Sequence, residues 1–341
     1  IGLSVVSASL KMPALVASVV ARRSWPDVVV VWGGAHVTAL SEEIIGDPSY
    51  GRFVDRFVFG YAERTWVDLL TAVREGGRLP PEAVLAGARE LRRERDDGEV
   101  TPWFGDLAPY WPGHLTLPAQ ASRGCAYALC EFCTYPFVEG RYRLLPLGVS
   151  AETVALAAVD GASVSFKDSL VVSKRLSAIA SAVDGRVLWS ACTKLSRELR
   201  PAFLRRLVSA GCRTLEVGLE TLAPDAQHLI NKHQSWPLFL HVLDGAAAAG
   251  LALVVNYMTG FPGVDPGEER DSLDRVRAAL DERAIVAKFE HNTFQLERRS
   301  PMAKQAEATG VRVLGAWPWS SVLAWEPSRA ARPRRRLPIA I

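Results

Sequence analysis

Long apolar runs are missing from this 341-residue sequence. The nearest candidate, residues 246–255, is shorter than the roughly 18 residues of a membrane-spanning helix, and Gly250 interrupts it. We therefore expect no membrane segment. A large net charge is also missing: 40 Lys and Arg against 37 Asp and Glu give +3, and five of the arginines lie between residues 329 and 336. Without those five the balance falls to −2, so we expect no nucleic-acid partner.

Cysteine is scarce, at five residues, and an odd number cannot pair completely within one chain. Three of the five, Cys125, Cys130 and Cys133, lie within nine residues. This spacing favours metal ligation in a reducing cytoplasm over structural disulfides. The chain opens at Ile1 on an apolar strand pattern without a charged leader, so we see neither a start codon nor a signal peptide and expect a fragment that lacks its beginning.

Apolar periodicity divides the chain into two α/β units. Residues 1–78 predict the later part of a doubly wound domain, and the Pro-rich, charged stretch 79–114 predicts a linker. Residues 115–310 alternate six strand patterns with five helical ones, which predicts a parallel sheet, open or curled into a partial barrel. We expect 311–341 to be a partly disordered extension. The predicted strands are 2–7, 28–32 and 53–59, then 117–122, 163–167, 187–191, 214–219, 251–257 and 287–294.

The strongest chemical signal is the run RGCAYALCEFC, which begins at Arg123 where a predicted strand ends. Three thiolates on one short loop can ligate three irons of a four-iron cluster and leave the fourth iron open. A structural zinc site would need a fourth ligand, and Cys192, Cys212 or His114 would have to come from distant parts of the chain. The spacing favours the cluster, with zinc or unligated thiols as the alternatives.

This loop resembles that of the radical S-adenosylmethionine (radical SAM) enzymes, in particular their cobalamin-binding subgroup. The common family spacing is Cys-x3-Cys-x2-Cys, whereas this sequence has Cys-x4-Cys-x2-Cys. The resemblance implies that Cys125, Cys130 and Cys133 hold a 4Fe-4S cluster and that the methionine part of S-adenosylmethionine chelates the open iron. It also implies that Phe132 packs near the adenine.

Further segments resemble the family in the expected order. Asp168, in Phe-Lys-Asp after the second barrel strand, resembles the position that contacts the cofactor's amino group. Glu220, in Gly-Leu-Glu-Thr after the fourth strand, resembles the acid near the ribose and methionine, and Asn231-Lys232 resembles the Asn-Lys that follows it. The alternative for both acids is a helix cap or a surface carboxylate. Among the histidines, His291 on the sixth strand is a candidate for facing the barrel interior.

The first unit resembles a cobalamin-binding domain. Gly33 and Gly34 follow a valine-rich strand, where missing side chains would let the backbone approach the nucleotide tail of the cofactor. Residues 60–63, Gly-Tyr-Ala-Glu, resemble a later turn of such domains, and a tight connection without ligand is the alternative. The loop that supplies the lower ligand of cobalt would precede Ile1. We expect His36 to pack or form a hydrogen bond rather than coordinate cobalt.

The resemblance implies an α/β protein: a partial (β/α)6 TIM-like radical SAM barrel, preceded by an incomplete doubly wound, Rossmann-like cobalamin-binding domain. It implies a cytoplasmic enzyme that reductively cleaves S-adenosylmethionine to a 5′-deoxyadenosyl radical and uses cobalamin to methylate a carbon of a small-molecule or peptide substrate in secondary metabolism. An external donor such as flavodoxin or ferredoxin would supply the electron. The alternatives are a non-methylating radical enzyme, for cyclisation, rearrangement or RNA or peptide modification, and a truncated, non-catalytic cluster-binding protein.

Overall fold

The computed structural model describes residues 1–76, 110, 115–283, 285 and 287–328. Nearly all of the predicted linker, 79–114, lies outside the described residues. The arginine-rich tail from Arg329 onward lies outside them as well. No helix in the described part combines the length and the apolarity that crossing a membrane requires.

The amino-terminal region is a three-stranded parallel sheet in chain order with helices between the strands. Its elements are β1 (Gly2–Ser4), α1 (Lys11–Ser24), β2 (Val31–Gly33), α2 (Ala35–Ala39), α3 (Ser41–Gly46), β3 (Arg56–Phe57) and α4 (Glu63–Arg74). Trp32 is 2% exposed at the centre of the core, and Phe59 is fully buried. The three strands are shorter than their apolar patterns predict, because the flanking apolar residues continue into buried loops.

Six parallel strands form the second sheet, in the order β4-β7-β8-β9-β10-β11. Its strands are β4 (Thr116–Ala119), β7 (Ser163–Phe166), β8 (Trp189–Thr193), β9 (Cys212–Glu220), β10 (Ala252–Thr259) and β11 (Ala287–Thr293). The chain segment that connects β4 to β7 contains a small separate antiparallel pair, β5 (Ser122–Arg123) and β6 (Arg143–Leu144). Because spatial order follows chain order and the two edge strands do not pair with each other, the sheet is the predicted partial barrel.

The helices of this unit are α5 (Tyr135–Val138), α6 (Leu147–Asp160), α7 (Ser173–Val183), α8 (Pro201–Ser209), α9 (Pro224–Ile230), α10 (Trp236–Ala249) and α11 (Pro266–Glu282). Helices α6, α7, α8, α10 and α11 pack on the outer face of the sheet, whereas α5 contacts α2 and α9 packs in a separate apolar cluster. Along β9, Leu215, Val217 and Leu219 are fully buried in the core beneath the helices. The alternate residues Glu216 and Glu220 are half-buried, since they point to the opposite, concave face. The concave face therefore carries the polar side chains.

The end of the chain contains strands that its composition did not predict. β12 (Leu296–Glu297), α12 (Pro301–Lys304), β13 (Val311–Gly315) and β14 (Val322–Pro327) follow the barrel, and β12, β14 and β13 form an antiparallel sheet. The turn between β13 and β14 reaches the amino-terminal region, where Trp319 packs edge-on against Trp32 at 5.3 Å. The backbone oxygen of Trp319 lies 3.0 Å from His36 Nε2. His36 thus packs and forms a hydrogen bond, as predicted.

Candidate metal centre

The cysteine loop begins directly after β5, at the carboxyl-end rim of the barrel. Gly124 starts it with φ +72°, and a Cβ there would lie 2.9 Å from the backbone carbonyl of Arg141. The Gly124 N–H donates to Glu139 Oε2 at 3.0 Å. Glycine is needed at this position because both the left-handed backbone and the close neighbouring chain exclude a side chain. The loop is thereby turned back across the rim.

All five cysteines of the chain are free thiols. In the loop, the Cys133 N–H donates to the Cys130 oxygen at 3.2 Å, and the Ala128 N–H points to Cys125 Sγ at 3.5 Å. Ala128 adopts φ +50°, and this left-handed turn lies within the four residues that separate Cys125 from Cys130. The longer spacing is therefore taken up locally. Burial raises the pKa of the Cys130 thiol to about 11 and that of Cys133 to about 12.

Within the described residues, no three or more His, Cys, Asp or Glu side chains are arranged around a point where one metal ion would sit. A four-iron cluster takes each of three protein thiolates on a different iron. Cys212, one proposed fourth zinc ligand, is buried under the sheet with a hydrogen bond to Thr214 O. The thiol donor set fits a four-iron cluster with one open iron.

The far side of the loop is fastened to the segment after α9. Tyr127 donates its hydroxyl hydrogen to the Asn231 oxygen at 2.6 Å, and Asn231 Nδ2 donates to the Leu129 oxygen at 3.1 Å. The Glu131 N–H donates to Ile230 O at 3.0 Å. Asn231 itself has φ +53°, a conformation that asparagine tolerates better than most residues. Sequence resemblance picked out Asn231, and the structure explains it as an anchor of the cysteine loop.

Glu220 and Lys232 form a buried ion pair beside the loop. Lys232 Nζ lies 2.5 Å from Glu220 Oε1, and the two side chains are 11% and 13% exposed. A Cβ on Gly218 would lie 2.5 Å from both atoms, so only glycine leaves room for the pair. Burial alone would lower the pKa of Lys232, but Glu220 and the Cys130 thiol outweigh it and raise that pKa. The site thus holds an ion-paired ammonium near the sulfurs.

Asp168 follows β7 and lies against the start of the cysteine loop. Its carboxylate accepts the Ala121 N–H at 3.1 Å, the Ser122 hydroxyl at 2.6 Å and the Ser122 N–H. Burial raises the pKa of Asp168, and the bonds from Ser122 and Ala121 oppose that rise. In the structure the side chain therefore fixes the turn between β4 and β5. Its contact with a cofactor amino group remains a prediction.

Phe132 is partly buried against the apolar cluster that contains Phe261, Phe294 and Met302. Lys232 Nζ lies 5.9 Å from the centre of its ring. Phe132 thus lies between Cys130 and Cys133 in the sequence, with its ring beside the Lys232 ammonium. This is compatible with packing beside an adenine, which remains a prediction.

Gly33 and Gly34 are explained largely by the chain's own packing. Gly34 has φ +101°, and a Cβ there would lie 2.7 Å from Val5 O. A Cβ on Gly33 would lie 3.3 Å from Val58 O. The glycines permit a close approach, but the approaching backbone is that of β1 and β3 with their following residues. The tight-connection alternative accounts for Gly34 without a ligand, and the cobalamin contact of both glycines stays a prediction.

The concave face contains polar residues that the sequence analysis missed. Asn256 Nδ2 donates to Glu216 Oε1 at 2.7 Å, and Glu216 is in register with Cys192 on β8. Their single-residue alternation with apolar neighbours, as in Leu-Glu-Val-Gly at 215–218, is the signal that could have revealed them. In a parallel strand, however, such polar residues are easily taken for surface residues, so the alternation is overlooked.

His291 does not face the barrel interior, contrary to its candidacy. It is in register with Tyr257, whose hydroxyl lies 2.8 Å from Ser272 on α11, and register partners share one face of the sheet. His291 therefore lies on the helix side, where its Nε2 lies 2.9 Å from Thr259 Oγ1.

Comparison with known proteins agrees with this geometry. Residues 120–276 match the model of the Radical SAM superfamily. The fold resembles TsrM from Kitasatospora setae, a radical S-adenosylmethionine methyltransferase solved with cobalamin and a 4Fe-4S cluster (TM-score 0.67, 20% identity, 92% of this chain, 69% of TsrM). It also resembles OxsB, a cobalamin-dependent S-adenosylmethionine radical enzyme (TM-score 0.68, 14% identity, 96% of this chain, 55% of OxsB).

These likenesses confirm the predicted fold class, a partial barrel preceded by a parallel α/β region. The chain spans about half the length of OxsB. A search of curated protein sequences gives no match.

Proposed function

We propose that this chain, whose barrel belongs to the Radical SAM superfamily, binds a 4Fe-4S cluster through Cys125, Cys130 and Cys133 and cleaves S-adenosylmethionine reductively. The observation that carries the proposal is the loop of three free thiols fastened beside the buried Glu220–Lys232 pair. The cluster, when bound, supplies one electron to the sulfonium of S-adenosylmethionine. The protein's part is to hold the reactants together and exclude water.

The residues around the loop suit the groups of S-adenosylmethionine. Glu220, at the end of β9, offers a carboxylate oxygen for the ribose hydroxyls or the amino group, while Lys232 offsets its charge. The backbone of Glu220 has φ +66°, a conformation that costs about 1–3 kcal/mol outside glycine. Such backbone strain is typical of residues at active sites and ligand-binding sites. Phe132 offers an aromatic face for the adenine, and Asp168 keeps the start of the loop in place.

The finer proposal is a cobalamin-dependent C-methyltransferase of secondary metabolism. Cobalamin would supply the methyl group, held against the loop at Gly33 and Gly34. The likeness to TsrM and OxsB supports this, because both were solved with a cobalamin. A non-methylating radical enzyme is the second candidate, and it is favoured by the packing of Val5 against Gly34, which accounts for that glycine without a ligand.

Gly33→Ala separates these candidates. Gly33 lacks the left-handed φ of Gly34, so its added methyl group must displace Val58 O by only a few tenths of an ångström. Overpacking against a bound cofactor costs about 1–3 kcal/mol, equivalent to about five- to 150-fold in affinity. We expect anaerobic gel filtration with hydroxocobalamin to show retention by the parent chain and weaker retention by Gly33→Ala. Gly46→Ala, with open space around its Cβ, is the matched control. No retention by the parent supports the non-methylating enzyme.

The substrate would bind on the concave face, below the cysteine loop. Glu216 and Asn256 offer hydrogen bonds to a polar small molecule or peptide there. We propose that a flavodoxin or ferredoxin supplies the electron, and that the protein works in the reducing cytoplasm, where its free thiols stay available for iron.

A further inference from the structure

A buried ion pair joins the residue before the cysteine loop to the amino-terminal region. Arg123 is 8% exposed, and its Nη2 donates to Glu63 Oε1 at the start of α4. Its guanidinium carbon lies 4.0 Å from the centre of the Tyr61 ring. Among the described residues, Arg123 Nε and Nη1 have no hydrogen-bond acceptor, and Glu63 is the only acid within ion-pair distance. Glu63, from another part of the molecule, thus supplies the direct ion pair of Arg123, while the Glu139 carboxylate acts on the guanidinium from a longer distance.

Three successive residues before Cys125 are each held by a different carboxylate. Ser122 is held by Asp168 after β7, Arg123 by Glu63, and Gly124 by Glu139 after α5. Two of the three carboxylates belong to the barrel itself. Glu63 alone comes from the amino-terminal region.

We propose that Glu63 is a positioning residue for the cysteine loop, so that the amino-terminal region sets the position of Cys125. A buried guanidinium that loses its counter-charge must move toward water or pull in another acceptor. Arg123 is in β5, two residues before Cys125, so this movement shifts the first cluster ligand. The cluster readouts below rest on the proposed function, whereas the exchange readout does not.

The molecule contains a matched control for this contact. Glu43 also links the two regions: its Oε1 lies 3.0 Å from Arg298 Nη1, and its Oε2 pairs with Arg299. The Glu43 and Glu63 side chains are 23% and 25% exposed. Glu43 has no hydrogen bond or ion pair with residues 121–133 among the described residues. Glu43→Gln therefore weakens the contact between the amino-terminal region and the rest of the chain, but it removes no bond to the cysteine loop.

The first measurement is hydrogen–deuterium exchange of the metal-free chain. We expect Glu63→Gln to speed exchange across residues 121–126 by about tenfold, the equivalent of one charge-assisted hydrogen bond. Glu63→Asp, which keeps the charge, should lie between Glu63→Gln and the parent, and Glu43→Gln should match the parent. Equal acceleration by Glu63→Gln and Glu43→Gln, or none by either, overturns the proposal.

The second measurement is the EPR spectrum and midpoint potential of the reduced, reconstituted cluster. Glu63→Gln should shift both, and Glu43→Gln neither; unchanged values in Glu63→Gln contradict the proposal. If Glu63→Gln does not fold, Glu63→Gln/Arg123→Gln buries no unpaired charge and should show the same faster exchange. Parent-like exchange in this double variant overturns the proposal. A parent chain that takes up no iron contradicts the proposed function, while the exchange result still decides the role of Glu63.

Discussion

Two glycine turns of this protein, at Gly34 and Gly124, differ in chemistry although each brings the chain close to a neighbouring backbone. Gly124 and Gly34 both have positive φ and both lie within 3 Å of a neighbouring backbone, measured from a Cβ placed on them. The loop after Gly124 brings three thiols beside a buried ion pair. Helix α2, which follows Gly34, buries His36 and Thr38, whose side chains form hydrogen bonds within the fold, as in the bond from the Thr38 hydroxyl to Gly34 O.

This contrast shows which sequence signals identify a ligand. A glycine in a turn indicates that other atoms come close to the backbone there, and those atoms can belong to the same chain instead of a ligand. A thiol triplet reports a donor set that the fold does not use for itself. The proposal of a cluster therefore rests on the chemistry of the loop residues, whereas the proposal of cobalamin rests on the likeness to other structures.

The largest expected effect is the loss of iron in Cys130→Ala. Removing one of three thiolates leaves too few protein ligands for the cluster. We expect iron and sulfide contents after anaerobic reconstitution to fall close to zero. Cys212→Ala removes a buried thiol that lies outside the loop and should keep the parent's iron content. Equal iron in Cys130→Ala and the parent would refute the ligand assignment.

The next effect is on Glu220→Ala, which leaves Lys232 buried without a partner. Breaking a buried pair costs about 3–5 kcal/mol of unfolding free energy, which urea titration measures. We also expect weaker S-adenosylmethionine binding by calorimetry with unchanged iron content. Glu290→Ala is the control for stability, since the Lys288–Glu290 pair on the same sheet is 71% and 40% exposed and should contribute below about 1 kcal/mol. Similar losses in both variants would contradict a special role for the buried pair.

Gly34→Ala tests the glycine turn of the amino-terminal region. Gly34 combines φ +101° with ψ 175°, a region open essentially to glycine. Strain and the contact with Val5 O should destabilise that region by about 2–3 kcal/mol, while iron uptake stays at the parent's level. Unchanged stability would show that the turn is looser than the structure indicates.

The smallest expected effect is a loss of stability in acid through His36. Burial lowers the pKa of His36 below its ordinary 6.5, so the folded chain binds fewer protons than the unfolded chain as the pH falls through 6.5. Stability therefore falls with falling pH in that window. Urea titrations at pH 7.5 and 5.5 should show a smaller loss for His36→Gln than for the parent. Identical losses of stability in both chains would show that His36 does not contribute to the acid sensitivity.

Much of the fold could be predicted from the sequence because strand periodicity is local. All six barrel strands were predicted within a few residues, since buried parallel strands read as continuous apolar runs. The final hairpin was missed because Trp317, Trp319 and Trp325 show no period. Trp319 instead packs on Trp32, about 290 residues earlier along the chain, and no local pattern reports such a contact.

The site was predictable in its donors and not in its supports. Cys125, Cys130 and Cys133 are visible because three thiols at short spacing are rare in a globular protein. In sequence, Glu63 is only part of a turn that resembles cobalamin-binding domains, and Glu139 looks like a surface acid. Only the tertiary fold brings them to Arg123 and Gly124. A carboxylate that accepts a backbone N–H, as Glu139 does from Gly124, places no demand on its partner's side chain.

The most direct test is to reconstitute the chain anaerobically with iron and sulfide, reduce it with S-adenosylmethionine and assay 5′-deoxyadenosine. A variant with Cys125, Cys130 and Cys133 all replaced by alanine is the control. We expect about four irons per chain and product from the parent alone. Full iron loading without 5′-deoxyadenosine, or equal product from the alanine variant, would contradict it.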